Sequence, residues 1–377
     1  MEDVVVVGVG MTRFTKAPER TLEDMGHEAV LAAMNDAGVE RADIGAAICG
    51  TLRSHPGIGQ RVLKDLGMTG IPIVNVENAC ASGSTALREA MAWIRAGFAD
   101  VVLAVGVESL SAQPGLVSLG VDDYVWGSGL VLPGAYALTA KRHMAMYGTT
   151  PEHFAKVSVK SHDNAMLNPF AHFHKPVSVE DVLGSAMIAD PITIYQCCPN
   201  TDGAAAAIVA SASAARRFTA DPIKIAGSAL NSGRLVTQAD AESDLTKRTA
   251  DAAYEMAGIG PEDVDLAEVH DAFAPGELIY YEELGFCGEG EGGAYIDAGR
   301  SAIGGDGVAV NPSGGLLSRG HPFGATGLAQ IAELTWHLRG RAGERQVPDA
   351  KVGLAHTMGG TLFELEANAC AIHILTT

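Results

Sequence analysis

The side chains best suited to chemistry are a cysteine set among small residues and three histidines beside glycines. Cys80 lies in VENACASGSTALREA (76–90), where a short apolar run, Ile71 to Val76, gives way to a helical pattern. A thiol at the first turn of a helix faces unpaired N–H groups and the positive end of the macrodipole, which favours thiolate over thiol. The neighbours Ala79, Ala81, Ser82 and Gly83 keep its approach open. The N–H of Cys80 can itself donate to an oxyanion on an attached acyl group. The histidines stand in EVHDAFAPGEL (268–278, His270), GGLLSRGHPFGATG (314–327, His321) and GLAHTMGG (353–360, His356). A lone histidine is usually structural. Three at strand-to-loop or strand-to-helix corners beside glycines, with His270 and His321 on the sheet edge that carries Cys80, point to nucleophilic catalysis.

The elements that position these residues occur twice. LAAMNDAGVERADIGAAICG (31–50) is echoed by DAAYEMAGIGPEDVDLAEVH (251–270): an amphipathic helix ending in Ala-Gly, an acidic turn, then a strand. ACASGSTALREAMAWIRAG (79–97) is echoed by PFGATGLAQIAELTWHLRG (322–340), where small residues open a helix that closes on Gly. Apolar strands follow at 100–109 and 350–360, and each half begins with one, at 3–10 and 223–230. Strands that are apolar without alternation and separated by helices indicate βαβ units with sheets covered on both faces. Duplication of such a half implies an α/β stack of five layers, αβαβα. The domain expectation is an N-terminal half over 1–117 plus 196–220, a loop excursion over 118–195 and a C-terminal half over 221–377. Between 118 and 195 the βαβ pattern fails, and Gly, Pro, His, Tyr and Met mix with short helical pieces such as 136–148. Long ordered excursions of this kind are often functional.

The chain has 377 residues, 47% hydrophobic and 19% charged, enough for a substantial core. A net charge of −19 excludes a nucleic-acid surface, since no cluster of Lys and Arg is available to neutralise phosphates. No stretch approaches the roughly 18 apolar residues of a membrane span, and MEDVVVVGVGMTRF enters a strand pattern without a basic leader, so a cytoplasmic location is expected. The six cysteines (49, 80, 197, 198, 287 and 370) have neither the paired spacing of a disulfide framework nor a CxxC for zinc, so no metal is expected. The GVG at 8–10 lacks the third glycine and the acidic residue of a dinucleotide turn.

The segments ENACASGSTAL, EVHDAF, NPSGGLLSRGHPFGATGLAQ and HTMGG resemble the four active-site signatures of the thiolase superfamily, in order and over essentially the whole chain. The nearest branch is the sterol-carrier-protein-type and archaeal acetyl-CoA C-acetyltransferase branch, whose HDCF motif reads HDAF here. The resemblance implies the duplicated thiolase fold and acyl-CoA C-acyltransferase chemistry, cleaving a β-oxoacyl-CoA with coenzyme A or running the reverse Claisen condensation, on a bulky or aromatic degradative substrate. Coenzyme A thioesters are then substrates, with no covalently bound cofactor. It implies that Cys80 is acylated, that His321 activates Cys80 and polarises the second thioester, and that His270 completes that oxyanion hole. The N–H groups of Cys80 and of Gly359 or Gly360 form the other hole. Ser228 corresponds to a pantetheine-contacting serine. It also implies a homodimer or dimer of dimers, and association with a small OB-fold/zinc-ribbon subunit as in some relatives.

One departure bears on the chemistry. Thiolases use a second cysteine, from a C-terminal CxG motif or from HDCF, to move a proton at the α-carbon. The sequence places His356 and Ala272 at those positions. Either His356 has taken over the proton transfer, or the reaction is of a ketosynthase or aldolase-like kind, or the chain is a partner-dependent subunit. Lys141, Arg142, Lys156 and Lys160 are either the local charges that meet the coenzyme's phosphates or solvated helix faces.

Overall fold

The computed structural model describes residues 2–111, 129–218, 221–235, 245–360 and 366–377. In chain order the strands are β1 (Val4–Met11), β2 (Ala46–Gly50), β3 (Ile73–Val76), β4 (Val101–Ser109), β5 (Met187–Ala189), β6 (Ile192–Thr193), β7 (Asp202–Ser211), β8 (Ile223–Asn231), β9 (Leu266–Glu268), β10 (Ala309–Val310), β11 (Val352–Gly359) and β12 (Ala369–Thr376). The first half orders its strands β3-β2-β4-β7-β1, and the second repeats the arrangement as β10-β9-β11-β12-β8. In both halves four strands run in one direction and one runs against them: β7 is antiparallel to β4 and β1, and β12 to β11 and β8. The two sheets meet edge to edge where Val5 pairs with Lys224 and Val6 with Ile223.

The echoes seen in the sequence become equivalent elements. The Leu22–Ala37 helix ends on Gly38 (φ 66°) and the Leu245–Ala257 helix on Gly258 (φ 70°), because only glycine enters the left-handed region without strain. These two helices cover the outer faces of their sheets. The Ser82–Arg95 and Phe323–Leu338 helices pack against each other and lie between the sheets, each touching both. Five layers result. Every residue of β1, β2 and β7 is buried, which is why none of them alternates.

The close approach of the two central helices depends on glycine. A Cβ on Gly83 would lie 2.6 Å from the Gly324 carbonyl oxygen, and one on Gly106 would also strike that oxygen. The helix starts that follow Cys80 and His321 are thereby brought together. The excursion supplies the Leu132–Tyr147 and Pro151–Met166 helices and the β5–β6 hairpin, while 112–128 lie outside the described residues. Among the described residues no helix is long and apolar enough to cross a membrane.

Candidate active site

Cys80 sits on a tight elbow between β3 and the Ser82–Arg95 helix. Ala79 has φ 50°, a strained value for a residue with a Cβ, and three hydrogen bonds hold it there. Glu77 Oε1 accepts from Ala79 N (2.6 Å), Ser82 Oγ donates to Ala79 O (2.6 Å), and the same Oγ accepts from Asn78 N (2.9 Å). Cys80 therefore precedes the helix rather than lying in its first turn. It is 8% exposed. The opposite wall is Gly360 (φ 60°), where a Cβ would lie 3.1 Å from that of Ala79.

His321 ends the loop that leads into the Phe323–Leu338 helix. Its backbone N–H donates to Thr201 Oγ1 (2.8 Å) and its Nδ1 meets Thr326 Oγ1 at 2.7 Å. The Thr326 hydroxyl proton goes to Pro322 O (3.0 Å), so Nδ1 is the protonated nitrogen and donates. Nε2 is left as a free lone pair, buried and without a hydrogen-bond partner among the described residues. The Thr326 side chain thus sets the tautomer a base requires. The His270 ring stands edge-on to that of His321, 5.0 Å between centroids. Cys80 Sγ and one nitrogen from each ring lie within 4.8 Å of one another, a spacing that could also hold a metal ion.

Buried polar contacts fix these loops. Asp271 accepts from Leu316 N (2.6 Å) and Leu317 N (3.3 Å). Glu268, at the end of β9, accepts from Arg319 Nη1 (2.9 Å) and Ser313 Oγ (2.7 Å), all fully buried. Removing one member of a buried ion pair strands the other's charge, typically at 3–5 kcal/mol. Glu268→Gln is therefore expected to lower the unfolding free energy by about 3 kcal/mol, read from the urea midpoint.

Electrostatics correct the thiolate expectation. Burial pushes the Cys80 thiol up to about 12, with the Glu108 charge adding to the effect. The N–H groups of Gly360 and Cys80 act in the opposite direction. Burial lowers His270 to about 3 and takes His321 well below the imidazole range, helped by His270 and Arg319. The resting pair is a neutral thiol beside neutral imidazoles, because desolvation outweighs the helix terminus. Below its pKa a thiol's reactive fraction rises tenfold per pH unit, so Cys80 alkylation by iodoacetamide should climb about a hundredfold from pH 7 to pH 9. A flat rate over that range would indicate a preformed thiolate–imidazolium pair.

Cys80, His270, His321 and Gly360 line one cavity of about 630 Å³. His356 does not. Its Nδ1 accepts from His270 N (3.4 Å), its Nε2 meets Thr246 Oγ1 (3.4 Å), and Tyr280 lies edge-on at 4.4 Å. It is a fully buried strut for the His270 backbone, set behind the cavity lining. Gly359 is paired with Ala369 inside the sheet, so Gly360 is the glycine whose N–H reaches the thiol. Ser228 is likewise away from the cavity, 3.0 Å from His373 Nδ1. Lys141 pairs with Asp190 (2.5 Å), and Arg142 lies beside Met146 (3.4 Å); neither lines the cavity. Lys156 pairs with Asp297, and Lys160 is sequestered on buried Glu277. Thr326, Thr201 and Cys198 join the site only through the tertiary structure. A hydroxyl five residues after His321 was a usable signal, and so was the paired cysteine of YQCCPN (195–200).

The fold and site define a class: a duplicated αβαβα protein with a cysteine and two neutral histidines together in the lining of one cavity. The thiolase N-terminal domain model matches residues 4–213 and the thiolase C-terminal domain-like model residues 227–373, and the chain belongs to the thiolase family. It is 42% identical to the acetyl-CoA acetyltransferase of Methanothermobacter thermautotrophicus, over 100% of both chains. It is 42% identical to sterol carrier protein 2 of Bos taurus, over 94% of this chain and 70% of that one. With the benzoylsuccinyl-CoA thiolase subunit BbsB of Thauera aromatica it shares 39% identity, over 95% and 94%. Among solved structures, an Ltp2-ChsH2(DUF35) aldolase superposes with a TM-score of 0.87 at 28% identity, covering 100% of this chain and 98% of that one. The chain is a thiolase-type acyl-CoA C-acyltransferase that takes coenzyme A thioesters as substrates, without a covalently bound cofactor.

Proposed function

We propose that the enzyme degrades β-oxoacyl-CoA substrates with bulky or aromatic acyl groups through an acyl-Cys80 intermediate. The lining of the cavity carries this reading. Tyr136, Phe173, Tyr195, Phe273, Tyr280 and Phe323 surround a space of about 630 Å³ above Cys80, far more apolar surface than an acetyl group requires. His321 Nε2 takes the Cys80 proton, the N–H groups of Cys80 and Gly360 hold the acyl oxygen, and His270 with His321 receives the second thioester carbonyl. The 118–195 excursion is the coenzyme-binding part of the molecule, a role supported by Leu132, Thr139, His162 and Ile188 in the cavity wall. The acid/base pattern at Ala272 is compatible with an aldolase-like variant, the activity named for the Ltp2-ChsH2(DUF35) structure.

The protein works as a homodimer or dimer of dimers, with a small OB-fold/zinc-ribbon subunit at the cavity mouth. Support for that subunit comes from exposed Leu138, Met187, Ile188 and Ile194 on the excursion, and from the DUF35 component of the structural relative. Six free cysteines suit a reducing compartment such as the cytoplasm.

The test compares thiolysis of 3-oxo-3-phenylpropanoyl-CoA with that of acetoacetyl-CoA, with the acyl group on Cys80 read by intact mass. A benzoyl adduct and at least tenfold higher kcat/KM for the aromatic substrate are expected. Preference for acetoacetyl-CoA, or cleavage of only the β-hydroxyacyl analogue without coenzyme A, would replace the proposal.

A further inference from the structure

The departure at Ala272 leaves open which group moves the proton at the α-carbon, and His356 is walled off from the cavity. The lining offers few other candidates. Cys197 donates its thiol to Thr193 O (3.4 Å), His162 Nδ1 is bonded to Lys175 O (2.8 Å), and Glu366 is held by Arg248 at 2.6 Å. Tyr136 and Tyr280 are hydrogen-bonded to each other, and burial raises both hydroxyls. Cys198 remains. It lines the cavity with Cys80, and its backbone N–H donates to Ala272 O (2.9 Å). Cys197 and Phe273 form a bridge beside it, so the YQCCPN segment is laid against the HDAF segment. Two buried atoms with no hydrogen-bond partner among the described residues, His321 Nε2 and His270 Nδ1, belong to histidines that line the same cavity.

We propose that Cys198, delivered to the HDAF segment from a different part of the chain, is the second proton-transfer group of this enzyme, doing from across the cavity what a cysteine at position 272 would do. The proposal rests on the acyl-Cys80 reading above. In the cleavage direction Cys80 gives its proton to His321 and attacks the β-carbonyl. As the Cα–Cβ bond breaks, its electron pair is captured at the α-carbon by the Cys198 thiol proton, and the fragment that carries the original thioester leaves, as acetyl-CoA when the α-carbon is unsubstituted. The Cys198 thiolate then takes the thiol proton of incoming coenzyme A, whose sulfur attacks acyl-Cys80. Cys80 departs as thiolate and recovers its proton from His321. A thiol whose pKa burial raises is suited to the donating half of this cycle.

Acetyl-CoA in D2O separates the steps. Wild-type protein is expected to gain an acetyl mass on Cys80 and to exchange the α-protons of acetyl-CoA. Cys198→Ala should acetylate Cys80 at a rate within about threefold of wild type yet lose exchange by about a hundredfold or more. Ala272→Cys in the Cys198→Ala background should restore exchange at least tenfold, a gain that a packing role for Cys198 would not produce. Exchange in Cys198→Ala within threefold of wild type overturns the proposal, as does joint loss of acetylation and exchange without rescue. A wild type that acetylates Cys80 but does not exchange overturns it while leaving acyl-Cys80 standing. A wild type that takes no acetyl group on Cys80 overturns the underlying reading and the proposal with it.

Discussion

Cys80→Ser is expected to abolish the acyl adduct and to lower thiolysis by on the order of 10^4-fold or more, the scale seen when a nucleophile is removed from a covalent catalytic set. Sulfur is needed because an alcohol at this buried elbow is far harder to ionise than a thiol already pushed up to about 12. The elbow itself is retained in the variant, since the bonds from Glu77 and Ser82 to Ala79 do not involve the thiol. An adduct of undiminished mass and rate in Cys80→Ser, or one mapped to any other cysteine, would remove Cys80 from the chemistry.

The second large effect separates the two histidines. His321→Ala should slow acylation of Cys80 by about 10^2- to 10^4-fold, the range for loss of a positioned general base. His270→Asn should leave acylation within about tenfold of wild type and chiefly slow the carbon–carbon step, because an amide still donates to a thioester oxygen. Equal loss of acylation in both would contradict the division of labour. The pH dependence carries a sign. Burial lowers both imidazole pKa values, so the neutral, basic form persists as the pH falls, and protonation should not remove activity until well below the ordinary imidazole value near 6.5. Thr326→Val tests the tautomer: without the Thr326 acceptor, Nδ1–H loses its partner and Nε2 is no longer favoured as the base, so acylation should fall while coenzyme A binding is kept.

Much of this protein is determined locally by its sequence. The unalternating strands, the Ala-Gly helix ends at 37–38 and 257–258, and the small residues opening both central helices carry the duplicated architecture, because burial on both faces and left-handed caps each leave a short-range mark. Cys80, His270 and His321 were legible because each stands at a corner where one element ends. What a side chain faces is decided by packing, and there the one-dimensional reading stopped. His356 lies four residues from Gly360 on a strand that enters the core, so its ring is spent beneath Thr246 and Tyr280 while Gly360 reaches the thiol. Helix-terminus logic favoured a thiolate at Cys80, yet desolvation by the surrounding layers governs the charge state. Lys141 and Lys160 found carboxylates at Asp190 and Glu277, partners far along the chain, and Cys198 meets Ala272, 74 positions further on. Those pairings come from the way the excursion and the segment that follows it fold back over the sheets, a long-range arrangement that only the tertiary structure decides.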